Sequence, residues 1–166
     1  MKQVSVKLRR SPVKKVRHPS TSYRQRNYSL QGERELAQLL AMGAICQARH
    51  VRTGMKAAVL VPIAHILLKI PLKELLNGLC LSRGDVQRKI HTGARLSVSE
   101  SARVVRALMV FEQAADVFDN NGFVATWFLR TNVELGGARP LDILHTRLGF
   151  ERVRDLLSRL EFGITV

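Results

Sequence analysis

From residue 57 onward the chain is a succession of short helical patterns separated by glycine and proline, and this feature constrains the fold most. In one of these patterns the leucines recur at the i, i+3, i+4 and i+7 positions that line one face of a helix: Leu72, Leu75, Leu76 and Leu79. The same region contains no internal repeat and no run of alternating β-branched residues, which is the pattern of a half-buried strand. The sequence therefore predicts an all-α fold.

Two of the predicted helices, joined by a turn at residues 79–81, have the pattern of a helix-turn-helix. Gly78, near the end of the first, favours a left-handed C-terminal cap. The second begins at Ser82, with Asp85 three residues later as in a capping box. With its apolar side turned inward, its outer face carries side chains that can hydrogen-bond base edges or phosphates. The predicted DNA-binding residues are Ser82, Arg83, Gln87, Arg88, Lys89 and His91. The alternative is a solvated polar face on a small helical domain.

The net charge of +14 is concentrated in the first part of the chain. Residues 1–30 hold nine basic side chains and no acidic one, and the balance is +15 before residue 100 and −1 from there on. Such a distribution is expected when the basic part meets a polyanion and the neutral part meets a different partner. A tail that only increases solubility is the alternative.

These patterns divide the chain into four predicted parts. Residues 1–31 are a basic tail that we expect to be disordered when unbound, and residues 32–56 are a lead-in whose helix lies at 33–48. Residues 57–98 are the helix-turn-helix domain, and residues 99–166 are a small helical C-terminal domain.

The capping box of Ser97 and Glu100, at the boundary with the C-terminal domain, predicts a long helix over residues 97–118. Arg103 and Arg106 share one row of that helix, and we expect them to pair with nearby carboxylates rather than with phosphates. The last predicted helix, at 149–161, has an apolar stripe of Val153, Leu156, Leu157 and Leu160. Its apolar end after Gly163 suits burial in a partner.

The cysteines and the apolar segments exclude several classes of protein. Cys46 and Cys80 lie in no metal-binding spacing, so we expect no zinc site, and their apolar neighbours predict small buried side chains in a reducing, cytoplasmic setting. The basic start lacks the apolar segment of a secretory signal, although it also fits a mitochondrial transit peptide. The most apolar stretch, residues 57–70, is too short and too polar to span a membrane.

No pattern of an enzyme is present in the sequence. The five histidines are scattered, and neither a nucleophile beside a base nor a glycine-rich phosphate loop occurs. We therefore predict no catalytic residue, no metal site and no cofactor.

From Leu96 onward the order and spacing of many residues match a known family. They are Leu96-Ser97, Glu100-Ser101, Arg103, Arg106, Ala114, Val117-Phe118, Trp127, Asn132, Leu135-Gly136, Arg139-Pro140-Leu141, Leu144, Gly149-Phe150, Val153 and Gly163. In these residues the chain resembles the Xre/MbcA/ParS antitoxins, which are paired with RES-domain toxins. The likeness covers residues 63–163, and its specific part lies after Leu96. No motif that we can match covers the first 56 residues.

The resemblance implies a bacterial type II antitoxin, dimeric and co-expressed with a toxin that degrades NAD. It implies an Xre-type helix-turn-helix, with residues 82–89 as the recognition helix that represses the shared operon, followed by a small helical toxin-binding domain. In such families the C-terminal segment lies at the entrance to the toxin's active site. The toxin-binding residues implied here are Arg139, Glu161, Gly163, Ile164 and Val166, while Trp127 and Pro140-Leu141 are assigned to packing.

Two hypotheses follow, and they differ at the C-terminus. In the first, the protein is an antitoxin that binds operator DNA through its front part and a toxin through its rear part. In the second, it is a stand-alone helix-turn-helix regulator whose rear part only forms a homodimer.

Overall fold

The computed structural model describes residues 21–41 and 51–163, with side chains from residue 30 onward. Its helices are α1 (Thr21–Ala41), α2 (residues 57–67), α3 (Leu72–Gly78), α4 (Arg83–Thr92), α5 (Val98–Phe118), α6 (Asn121–Leu129), α7 (Pro140–Ile143) and α8 (Arg147–Glu161). Helix α2 passes from a 3₁₀ turn through one α-helical turn to a π-helical turn. The described residues contain no β-strand, only an isolated antiparallel bridge between Lys56 and Arg95, so the all-α prediction is confirmed.

Helix α5 lies at the centre of the fold and contacts both α6 and α8. The predicted capping box is confirmed at its start: Ser97 Oγ accepts from the Glu100 amide, and the Glu100 carboxylate accepts from the Ser97 amide at 2.7 Å. A single apolar cluster extends from Leu36 in α1 to Leu157 in α8. The front and rear parts of the chain therefore share one core.

Helix α1 begins at Thr21, twelve residues before the predicted start of the lead-in helix, and ends at Ala41 rather than at residue 48. The segment 21–31, assigned to the tail, has no apolar period, but it also contains no proline or glycine to interrupt a helix. Further along, Gly32 permits close packing on α2, because a Cβ there would lie 2.4 Å from the carbonyl oxygen of Ala58. The rest of the predicted tail, residues 1–20, lies outside the described residues.

The turn between α3 and α4 differs from its prediction in two respects. Gly78, a candidate left-handed cap, instead allows α3 to approach α7: a Cβ at this position would lie 2.6 Å from Cγ of Leu141. The residue with positive φ is Cys80, at 50°. The prediction that Cys80 is buried is wrong, because this turn directs it outward between the buried Leu79 and Leu81. Cys46 lies outside the described residues.

Arg103 and Arg106 of α5 bind backbone carbonyls, so the prediction that they pair with carboxylates is wrong. Arg103 donates to the carbonyl of Cys80 at 2.6 Å, and Arg106 donates to the carbonyls of Leu144 and His145 at 2.9 and 2.7 Å. Burial, together with the neighbouring charge of Arg103, lowers the pKa of Arg106. Two arginines three residues apart thus hold the turn before α4 and the turn before α8.

Helix α8 packs very closely on α7 at its start. A Cβ on Gly149 would lie 2.1 Å from the carbonyl oxygen of Ile143, and the Gly149 amide donates to Thr146 Oγ1, which caps the helix. Along α8 the predicted stripe is buried at Val153 and at the leucine pair 156–157, but Leu160 is 45% exposed. The last turn of α8 therefore extends beyond the core.

Candidate functional site

The first candidate surface is the outer face of α4. Ser82 occupies the N-cap position with extended backbone, but its hydroxyl makes no capping hydrogen bond, so the predicted cap is not formed. Asp85, the predicted partner in that capping box, instead forms ion pairs with Arg88 and Lys89. Hydrogen bonds from Lys89 and then from Arg88 hold the pKa of the Asp85 carboxyl below its usual value.

Of the other predicted DNA-binding residues of α4, all but one are exposed. Arg83, Gln87 and His91 are exposed, and the side chain of Arg88 is 70% exposed despite its contact with Asp85. No atom lies within 4 Å of the position of a Cβ on Gly84, so this face of the helix is open. The structure thus brings several hydrogen-bonding and cationic groups onto one accessible face.

Lys89 is the enclosed residue of this set. Its ammonium lies 2.5 Å from Asp85 Oδ2 and 2.7 Å from Glu100 Oε2, and only 16% of its side chain is exposed. Hydrogen bonds to Asp85 and then to Glu100 raise the pKa of Lys89. Lys89 therefore joins α4 to the capping box of α5, and this position limits its access to a phosphate.

Arg139 lies between α3 and α7. Its guanidinium donates to both carboxylate oxygens of Asp142, at 2.7 and 2.9 Å, and to Glu74 Oε1 at 2.9 Å. These hydrogen bonds, first to Asp142 and then to Glu74, raise the pKa of Arg139. The side chain is 29% exposed, so the residue assigned to toxin binding is also an anchor inside the chain.

The second candidate surface is the C-terminal end of α8. Glu161 is the exposed last residue of the helix, and Gly163 has a φ of 62° with nothing near the position of a Cβ. Between them Phe162 is 75% exposed. The predicted toxin-binding residues Ile164 and Val166 lie outside the described residues.

An exposed apolar residue that no sequence pattern indicates lies beside this end of α8. Val133, in the 3₁₀ turn Val133–Leu135, is 93% exposed. The adjacent Glu134 forms a 2.9 Å ion pair with Arg159, which ties the turn to the last turn of α8. A helical wheel would have indicated Phe162, because it falls opposite Val153, whereas Val133 has no such signal.

The described residues of the two candidate surfaces form no metal-binding group. Within residues 21–41 and 51–163, no group of three or more His, Cys, Asp or Glu side chains could hold a metal ion. Over the same residues, no helix is long and apolar enough to cross a membrane.

Two comparisons relate this chain to known proteins. A family model described as the antitoxin Xre/MbcA/ParS C-terminal toxin-binding domain matches residues 113–163, a range that includes Val133 and Phe162. A curated relative, "Antitoxin Xre" of Yersinia enterocolitica serotype O:8 / biotype 1B, is 34% identical over 102 residues. The matched region is 60% of this chain and 68% of the relative.

Proposed function

Because this chain belongs to the Xre/MbcA/ParS antitoxin family and is therefore an antitoxin of a toxin–antitoxin system, we propose that its toxin is a co-expressed, NAD-degrading RES-domain protein. In this proposal residues 99–166 bind the toxin, and residues 57–98 bind operator DNA to repress the shared operon. Family membership favours this hypothesis over that of a stand-alone regulator.

The proposal that residues 99–166 bind the toxin rests on the exposure of apolar side chains at and beside the end of α8. Phe162 and Val133 are 75% and 93% exposed, and Leu160 adds a third apolar group. Large apolar side chains exposed together mark interaction sites, because their burial in a partner removes them from water. We infer that this end of the chain enters and closes the toxin's active-site cleft. Inhibition is then steric and requires neither a catalytic residue nor a cofactor of the antitoxin.

The DNA-binding part is supported by the outer face of α4. A helix that presents Gln87 and Arg88 without large apolar groups suits the major groove, where these side chains recognise adenine and guanine. Arg83 suits a phosphate at the start of the helix. We propose a homodimer that reads two half-sites of an operator, as helix-turn-helix proteins do, and that acts in the cytoplasm, where the operator lies.

Removal of residues 161–166 tests the toxin-binding part. We expect the truncated chain, co-expressed with the toxin from the neighbouring gene, to protect cells less than the full chain does. Its binding to a duplex from its own promoter region should change less than twofold. Undiminished protection would contradict the proposal.

A substitution pair makes the same test without shortening the chain. Phe162→Ser removes an apolar group at the proposed interface, and Leu148→Ser removes one that is 65% exposed near the start of α8. We expect Phe162→Ser to weaken toxin binding at least tenfold in calorimetry and Leu148→Ser to leave it within twofold. Equal effects of the two variants would count against this location of the interface.

A further inference from the structure

A groove lies beside the start of α2, and five of its six lining residues belong to the first 56 residues, which no family motif covers. It has a volume of about 380 Å³ and is lined by Gln31, Arg34, Glu35, Gln38, Lys56 and Arg95. One wall is α1, and the other is the bridge between Lys56 and Arg95. Three of the six lining side chains are cationic and one is anionic, and there is room for more than one phosphate-sized group with its water.

The bridge places two cations opposite each other. The amide of Ala57 donates to the carbonyl of Ala94 at 3.1 Å, and the amide of Leu96 donates to the carbonyl of Met55 at 2.7 Å. Directly opposed residues of an antiparallel pair project to the same side, so Lys56 and Arg95 share one face, and like charges in this arrangement are destabilising. Neither side chain forms an ion pair with a carboxylate of the described part of the chain. A bound anion would remove this repulsion.

The acidic residue of the groove and one of its cations are held in place by the backbone. Glu35 Oε1 accepts a hydrogen bond from the amide of Lys56 at 2.8 Å, which fixes α1 against the bridge. The guanidinium of Arg95 donates to the carbonyl of Gly54 at 2.6 Å, which orients its remaining N–H groups. Arg34 is exposed on α1 and forms no ion pair among the described residues. The groove is thus a partly preorganised cationic surface.

We propose that this groove binds the phosphodiester backbone of duplex DNA, as an extension of the surface formed by α4. Arg95 follows Thr92, the last residue of α4, by three positions, so a duplex in contact with α4 would have a backbone strand close to the groove. The inference rests on the proposed DNA binding of α4. The groove adds to that proposal because it makes Arg34 on α1 and Lys56 ahead of α2 phosphate contacts.

The test compares two charge-matched double variants of the full chain. Arg34→Gln with Lys56→Gln removes two cations from the groove while leaving Arg95 and its structural hydrogen bond intact. Arg130→Gln with Arg152→Gln removes two exposed cations from the C-terminal part. Fluorescence anisotropy with a mixed-sequence 30-base-pair duplex, titrated at several salt concentrations, gives the dependence of log K on log salt. Circular dichroism and thermal melting establish that both variants fold.

Each phosphate contact that is lost should lower the magnitude of the salt slope by about 0.9. We therefore expect a decrease of about 2 for the groove variant and of less than 0.5 for the control. If the salt slope is the same for wild type and groove variant while binding still depends on Arg88, the groove inference is overturned and the proposed DNA binding of α4 stands. If the wild-type chain does not bind the duplex at all, the inference and the proposed DNA binding both fall.

Discussion

Arg139 and Glu74 are 65 positions apart in the sequence, yet the guanidinium of one donates to the carboxylate of the other at 2.9 Å. Because Asp142 holds the other side of the same guanidinium, Arg139 joins α3 of the proposed DNA-binding part to α7 of the proposed toxin-binding part. A residue that the family resemblance assigns to the toxin interface thus also links the two parts of the antitoxin.

We expect Arg139→Gln and Glu74→Gln each to lower the free energy of unfolding by about 1 kcal/mol. The side chains are 29% and 37% exposed, so solvent screening keeps the effect small. Urea denaturation of both single variants and the double variant gives the coupling between them, for which we expect about 0.5 kcal/mol. Strictly additive losses would show that the two groups do not stabilise each other.

Gly149→Ala should be strongly destabilising, because the added Cβ would meet the carbonyl oxygen of Ile143 at 2.1 Å. We expect a loss of at least about 2 kcal/mol in the free energy of unfolding, as for an overpacked core. Gly84→Ala is the matched control: it lies in a helix with nothing within 4 Å, and we expect it to stabilise the fold by about 0.5 kcal/mol. Thermal melting of both variants checks this order.

Arg83 and Lys89 should differ in their effect on DNA binding although both are basic residues of α4. We expect Arg83→Gln to lower the magnitude of the salt slope by about 1 and Lys89→Gln to lower it much less, because Asp85 and Glu100 enclose the ammonium of Lys89. The measurement is the salt dependence of binding to a duplex from the chain's own promoter region. A larger effect at Lys89 would mean that its ion pairs open when DNA binds.

The capping box of α5 should make stability depend on acid pH. Burial raises the pKa of Glu100, but hydrogen bonds from Lys89 and Ser97 outweigh it and hold that pKa below its usual value of 4.5. A carboxyl whose pKa is lowered by folding stabilises the fold above the pKa of the unfolded state, and this contribution is lost as the pH falls through the folded pKa. Below about pH 4.5, the stability difference between wild type and Glu100→Gln should therefore shrink, by about 0.5 kcal/mol. Urea unfolding from pH 6 to pH 3 measures it, and a constant difference would contradict the expectation.

The two capping-box patterns show how far the sequence predicts local structure. Ser97 with Glu100 forms the reciprocal cap as predicted, whereas Ser82 with Asp85, at the same spacing, does not. The side chain of Asp85 is one methylene shorter than that of Glu100, and its carboxylate forms ion pairs with Lys89 and Arg88 instead. Both patterns place a helix start correctly, but the competing ion pairs decide which cap is made.

Local sequence patterns do not predict the interactions between distant parts of the chain. The all-α class, the start of α5 and the family were predictable because they depend on periodicity, caps and motif spacing. The carbonyl partners of Arg103 and Arg106, and the partner of Arg139, depend on how turns far apart in sequence meet. The N-terminal helix α1 was placed too late because its first turns are polar, and most of its described packing comes later, through Gly32, Leu36 and Leu39.

The close approach of Gly78 to Leu141 limits the exchange of parts between relatives. A chimera that joins the front of this antitoxin to the rear of another would need a side chain at position 141 that fits against a bare helix surface. In the reverse chimera, any residue larger than glycine at position 78 would push α7 away from α3. With the toxin interface that we propose, new specificity is therefore more easily grafted as the exposed end of α8 than as the whole C-terminal part.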